Sequence, residues 1–174
     1  DGWTLALQGG LGRSHGSDSS SGLFSRLYAR GTWYRPIGGG WFGQARLELG
    51  KVLLPSGVAA PDSQLWRAGG DDSVRGYGYR TLGPIVDGSI SSGPALLTSS
   101  VELAHPIYAA LPSLWGAVFV DAGRAGSDFG GLNPALGYGA GVRWRSPVGP
   151  LKLDIAYGQE VRKFRLHFSV GVVF

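Results

Sequence analysis

The chain contains no cysteine and no methionine, so neither a disulfide framework nor a thiolate metal site is available to it. It also lacks any apolar run near the roughly 20 residues that a membrane-spanning helix requires. Charged residues make up only 16% of the 174 positions, with a formal net charge of +4. The three histidines are scattered: His15 in a loop, His105 at a strand end before Pro106, His167 on the last strand. No Gly-x-Ser-x-Gly turn occurs, and no serine–histidine–acid set, metal-ligand cluster or phosphate-binding loop stands out. The sequence therefore points away from catalysis, and no cofactor, metal or nucleic-acid partner is expected. The opening residues, Asp1-Gly2-Trp3, form neither a signal peptide nor a start methionine, which suggests a processed or excised piece of a longer chain.

What the chain does have is glycine (31), tryptophan (6) and tyrosine (7). That composition suits a soluble β-protein or an outer-membrane barrel, whose alternating apolar and polar residues average out. Alternation is the dominant pattern. Phe164, Leu166, Phe168, Val170, Val172 and Phe174 share one face, opposed by Arg165, His167, Ser169 and Gly171. Ala45, Leu47 and Leu49 oppose Gln44, Arg46 and Glu48, while Tyr138, Ala140, Val142 and Trp144 oppose three glycines, Arg143 and Arg145. The reading is all-β: eight antiparallel strands near 2–11, 24–34, 40–51, 96–106, 115–122, 136–145, 151–157 and 164–174, and no helix.

Connections alternate in length. Short ones fall at 35–39, 106–113 and 146–149, and longer ones at 12–22, 52–94, 123–135 and 158–163. Short turns at one end and long loops at the other describe a transmembrane barrel. Trp3, Trp33, Trp41, Trp115 and Trp144 all lie at the short-turn end, as an indole belt at a membrane boundary would. Arg26, Arg30, Arg46, Arg143, Arg145, Lys152 and Arg165 share a parity with Glu48, Glu102, Asp121 and Asp154. Facing lipid, each arginine would cost about 2–4 kcal/mol near the midplane, so this face is expected to line the interior. Eight strands can close on themselves with a filled interior. The basic lining and the long loop instead favour half of a larger barrel.

That loop, 52–94, holds Val74-Arg75-Gly76-Tyr77 between turn-rich flanks, and loops of this length usually carry function or disorder. Together with Gly-Gly-Asp-Asp-Ser (69–73), Phe-Val-Asp-Ala-Gly (119–123), the run 141–154 and the aromatic last strand, the tetrapeptide completes an ordered motif set. In these motifs the chain resembles the C-terminal half of the barrel of BamA/TamA-type outer-membrane insertases, with the 141–154 run nearest TamA. The resemblance implies the second half of a sixteen-stranded barrel, without the preceding strands or POTRA domains. It implies that the loop folds into the lumen and is locked to the wall through Val74, Arg75, Gly76, Tyr77, Glu102, Phe119, Asp121 and Gly123. Alternation independently puts Glu102 and Asp121 on the inner face. A guanidinium can fork onto such carboxylates where lysine cannot, Gly76 permits a tight turn, and Tyr77 is expected to stack in the lumen.

The last strand, through Phe164, Leu166, Phe168, Val170, Val172 and Phe174, would serve as β-signal and lateral gate strand. The function so implied is assembly or translocation of β-barrel or autotransporter-type clients in the outer membrane of a Gram-negative bacterium. The implied partners are outer-membrane lipids, those clients and a TamB-like subunit. The competing reading is a passive pore that a basic lumen would bias toward anions.

Overall fold

The structure, a computed structural model, describes residues 1–15, 21–146 and 149–171. Alternation turns into a single antiparallel sheet. Its strands are β1 (Gly2–Ser14), β2 (Gly22–Gly38), β3 (Trp41–Leu53), β6 (Ala95–Pro106), β7 (Leu114–Gly126), β8 (Ala135–Ser146), β9 (Gly149–Gly158) and β10 (Lys163–Val170). They pair strictly as neighbours in chain order. The two-residue strands β4 (Ile85–Val86) and β5 (Ser89–Ile90) make a small hairpin inside the long loop. Among the described residues β1 and β10 do not pair, so the sheet is open, a segment of barrel wall.

Several strands outrun their alternating pattern. β2 continues through Pro36 to Gly38, with a register shift against β3 between Pro36 and Gly38. A proline lacks the ladder donor, so a bulge at a strand end is where the sheet accommodates it. β7 runs on to Gly126, shortening the connection that follows. The expected connection at 12–22 and turn at 146–149 lie partly outside the described residues, as do Val172 and Phe174 of the last strand.

The two faces differ in kind. Leu5, Leu7, Leu27, Leu47, Leu49, Val101, Val118, Val120, Ile155, Leu166 and Phe168 stand exposed on one side. Thr32, Glu48, Thr98, Ser100, Asp121, Asp154 and His167 are buried on the other. A water-soluble sheet buries its apolar face; this one buries its polar face and presents leucine outward, as lipid requires. Trp3, paired with Trp33, is outward near the short-turn end, along with Trp41 and Trp144. Trp115 departs from the expected belt. It is in register with Pro106 and Arg143, on the parity of Phe119 and Asp121, and Arg145 lies 4.9 Å over its ring.

The long loop crosses the inner face and is structured throughout. It carries a 3-10 turn at Asp62–Gln64 and bridges Trp66↔Gly93 and Ala68↔Leu82. Near its start, Trp66 stacks on Tyr28 at 5.4 Å beneath the Arg26 guanidinium at 3.8 Å, and Arg26 Nε donates to the Gln64 carbonyl at 3.2 Å. Farther along, Val74, Tyr77 and Leu82 bury against Ala68, Leu96, Ala125 and Ala135, an apolar core between loop and wall.

Candidate functional site: an arginine seated on the barrel wall

Gly69 (φ +103°), Gly70 (φ +108°) and Gly76 (φ +91°) give the loop three left-handed turns that bracket Val74 and Arg75. The turn is tied internally by Ser73, whose hydroxyl accepts from Gly69 N–H at 3.1 Å. Arg46 of β3 donates to the Ser73 carbonyl at 3.0 Å, holding the turn against the wall. Arg75 is thereby aimed at β6, β7 and β9 and is only 7% exposed.

All five guanidinium N–H donors of Arg75 have acceptors. Nε and one Nη fork onto Asp121 at 2.8 and 2.9 Å. The other Nη donates to Glu102 and Asp154, each at 3.0 Å, and the remaining donor reaches Ser100 Oγ at 3.3 Å. The Arg75 backbone N–H also donates to Asp121 at 3.0 Å. Below the plane, the ring of Phe119 lies 3.3 Å from the guanidinium carbon. Burial opposes the charge, yet hydrogen bonds and charge from Asp121 and Glu102 outweigh it, so Arg75 is held above its ordinary pKa.

The acids are shared. Arg143 of β8 forks onto Glu102 at 2.9 and 2.7 Å and also pairs with Asp154. Two arginines therefore bridge three carboxylates, and Lys152 lines the same cavity. The Asp121 carboxylate, fully buried, receives a further bond from Ser100 Oγ at 2.7 Å. Removing one partner from such a buried network costs about 3–5 kcal/mol, because the other charges stay buried.

Next to Arg75 the loop backbone lies directly on the wall. Gly137 of β8 and Gly158 of β9 are register partners, and together they form the seat. A Cβ on Gly137 would collide with the Arg75 carbonyl, and one on Gly76 would sit 2.6 Å from Gly158 N. Gly139 and Gly141 continue the bare stripe, leaving room for the Phe119 ring and the Asp154 carboxylate. Gly123, two residues beyond Asp121 on the same face, packs against the backbone of Leu97 and Thr98.

Tyr77 is 1% exposed and is held by apolar packing and hydrogen bonds; among the described residues no ring stacks on it. Its hydroxyl donates to the Leu136 carbonyl at 2.8 Å and accepts from Glu160 N–H at 3.1 Å. Burial pushes the phenol above its ordinary pKa, which keeps that donor in place.

The structure thus brings Val74, Arg75, Gly76, Tyr77, Glu102, Phe119, Asp121 and Gly123 into one region. Phe164, Leu166, Phe168 and Val170 of β10 stand apart from it, exposed on the outer face. Asp154, Arg143, Ser100, His167 and Gly137 belong to the site although alternation showed them only as inner-face residues, and Gly158, expected in the connection 158–163, instead ends β9 opposite Gly137. The one available clue was the run of glycines on the inner parity of β8, since glycine in a strand marks close approach of another backbone.

An open antiparallel sheet with a leucine-rich outer face, and a loop bound to its polar inner face, defines a segment of a transmembrane β-barrel wall. The match to an Omp85 superfamily domain extends over residues 1–174, and the chain belongs to that superfamily. Two curated relatives come from Arabidopsis thaliana. Outer envelope protein 80, chloroplastic, is 36% identical over 115 residues, 60% of this chain and 14% of that protein. Outer envelope protein 39, chloroplastic, is 32% identical over 121 residues, 62% of this chain and 29% of that protein. The chain therefore spans less than a third of either relative. Among solved structures, BamA from Haemophilus ducreyi lacking POTRA domains 1–3 superposes with a TM-score of 0.78 at 21% identity, covering 99% of this chain and 38% of that one. At that identity the likeness is one of fold.

Proposed function

We propose that this chain is the C-terminal half of the barrel of an outer-membrane protein assembly or translocation factor. In this reading the loop is a lock: Arg75 on Asp121, Glu102 and Asp154 braces the wall, and β10 serves as the gate and β-signal strand. The observation that carries it is the full engagement of Arg75 by three wall carboxylates, within an Omp85 fold. The remaining strands and any POTRA domains belong to the rest of the protein. Clients are β-barrel or autotransporter-type proteins, the surrounding lipids are those of an outer membrane, and a TamB-like subunit is the partner if the chain belongs with TamA. The 141–154 run supports that branch and a Gram-negative outer membrane; the relatives' names supply an outer-envelope setting. The alternative, a passive pore with anion preference, draws on the inward Arg26, Arg30 and Arg165.

The test is assembly itself. With the intact protein in liposomes, the rate at which an unfolded outer-membrane barrel acquires its heat-modifiable fold is compared between wild type and Arg75→Ala. We expect a loss of at least about tenfold, the equivalent of some 1.4 kcal/mol out of the network's energy. A wild-type protein without effect on client folding, or an Arg75→Ala variant as fast as wild type, defeats the reading.

A further inference from the structure

His167 sits on β10, and its ring is bound on both sides by the long loop. Nε2 lies 2.9 Å from the backbone nitrogen of Gly76, and Nδ1 contacts the Asp71 carboxylate. Asp71 and Gly76 lie on opposite flanks of Arg75, so the imidazole spans the turn that presents the guanidinium. A backbone N–H can only donate, which makes Nε2 the acceptor. The ring proton therefore resides on Nδ1 and is donated to Asp71. The bridge requires this one neutral tautomer, since an imidazolium has no lone pair for Gly76.

Elsewhere on β10, Arg165 lies beside Gly78 of the loop, and Phe168 and Ser169 line the cavity that Asp71 and Asp72 also line. The strand's inward residues are Lys163, Arg165, His167 and Ser169, and of these only His167 is buried. Among the described residues, the hydrogen bonds between β10 and the loop are both made by His167. Otherwise β10 is held along one edge, by its ladder to β9 from Lys163↔Gly158 to Val170↔Leu151. In that ladder His167 is opposite Asp154, which accepts from Arg75.

We propose that His167 is a positioning residue that couples the seating of the loop to the pairing of the terminal strand, so that releasing either loosens the other. Coupling of this kind is reciprocal: whatever the seated loop contributes to holding β10, a well-paired β10 returns to the loop. The proposal deepens the lock reading above by naming the route from Arg75 to the strand assigned as the gate.

The experiment is hydrogen–deuterium exchange of the 163–170 amides in the intact protein in lipid nanodiscs. Wild type is compared with Arg75→Ala, His167→Phe, the double variant, His167→Gln and Asp71→Ala. Arg75→Ala and His167→Phe are each expected to speed β10 exchange at least about fivefold, within what loss of a buried hydrogen bond allows. In the His167→Phe background, Arg75→Ala is expected to add nothing further on β10. Gln offers an N–H donor group and a carbonyl acceptor without charge and should restore most of the protection. Asp71→Ala changes no barrel residue, so its accelerated exchange would report the coupling even if His167→Phe fails to fold. Wild-type exchange in both His167→Phe and Asp71→Ala, or fully additive effects of Arg75→Ala and His167→Phe, overturns the proposal. Exchange is read without a client, so a wild-type protein that shows the coupling but does not speed client folding counts against the function alone.

Discussion

At the scale of single residues, the site is governed by donor geometry. Arg75 has five donors in a fixed plane, and five acceptor contacts meet them. Arg75→Lys keeps the charge but loses the fork onto Asp121. It should therefore destabilise the folded barrel by a large part of the about 3–5 kcal/mol expected for Arg75→Ala, measured as the midpoint shift in urea unfolding followed by gel mobility. Tyr77→Phe removes one of the two donors to the Leu136 carbonyl, which keeps the Gln159 N–H at 3.0 Å, and takes the hydroxyl acceptor from the Glu160 N–H. A loss of about 1–3 kcal/mol is expected by the same measurement, and an unchanged midpoint would mean that water replaces the hydroxyl. The motif singled out Arg75, and alternation put Glu102 and Asp121 on its side of the sheet. Nothing in the sequence ranked Asp154 above the other inner charges, because it stands 79 positions from Arg75 and only the seating of the loop on the wall brings them together.

At the scale of elements, β8 carries glycine at inner positions 137, 139 and 141, and at Gly137 the bare backbone lets the loop lie directly on the strand. Gly137→Ala should unseat the loop while leaving the ladders of β7 and β9 intact. Gly31→Ala on β2, where a Cβ meets nothing within 4 Å, is the matched control. Protease susceptibility of the loop should rise in the first and stay at the wild-type level in the second. If both remain protected, the Gly137–Gly158 seat is not what holds the backbone. Strand number and facing were legible because a barrel wall repeats every second residue. The loop's interior was not, since its order comes from tertiary contacts such as Trp66 between Arg26 and Tyr28. One exception was readable in principle: Asp87-Gly88, both at positive φ (+49° and +75°), is the two-residue turn that closes the β4–β5 hairpin.

At the scale of the whole molecule, the described sheet is open, and the long loop lies on its inner face. If the loop plugs the lumen, planar-bilayer recordings of the intact protein should show rare, brief openings, and Arg75→Ala should lengthen them. Steady anion-selective conductance in the wild type would favour the passive pore. The claim on which the rest depends is that Arg75 holds the loop to the wall. Its most direct test is proteinase K digestion of the loop in proteoliposomes of the intact protein, using wild type, Arg75→Glu and the charge-swapped Arg75→Glu with Asp121→Arg. Arg75→Glu should be cleaved within the loop under conditions that spare the wild type, and the swap should recover much of the protection. An Arg75→Glu loop as resistant as wild type would contradict the claim.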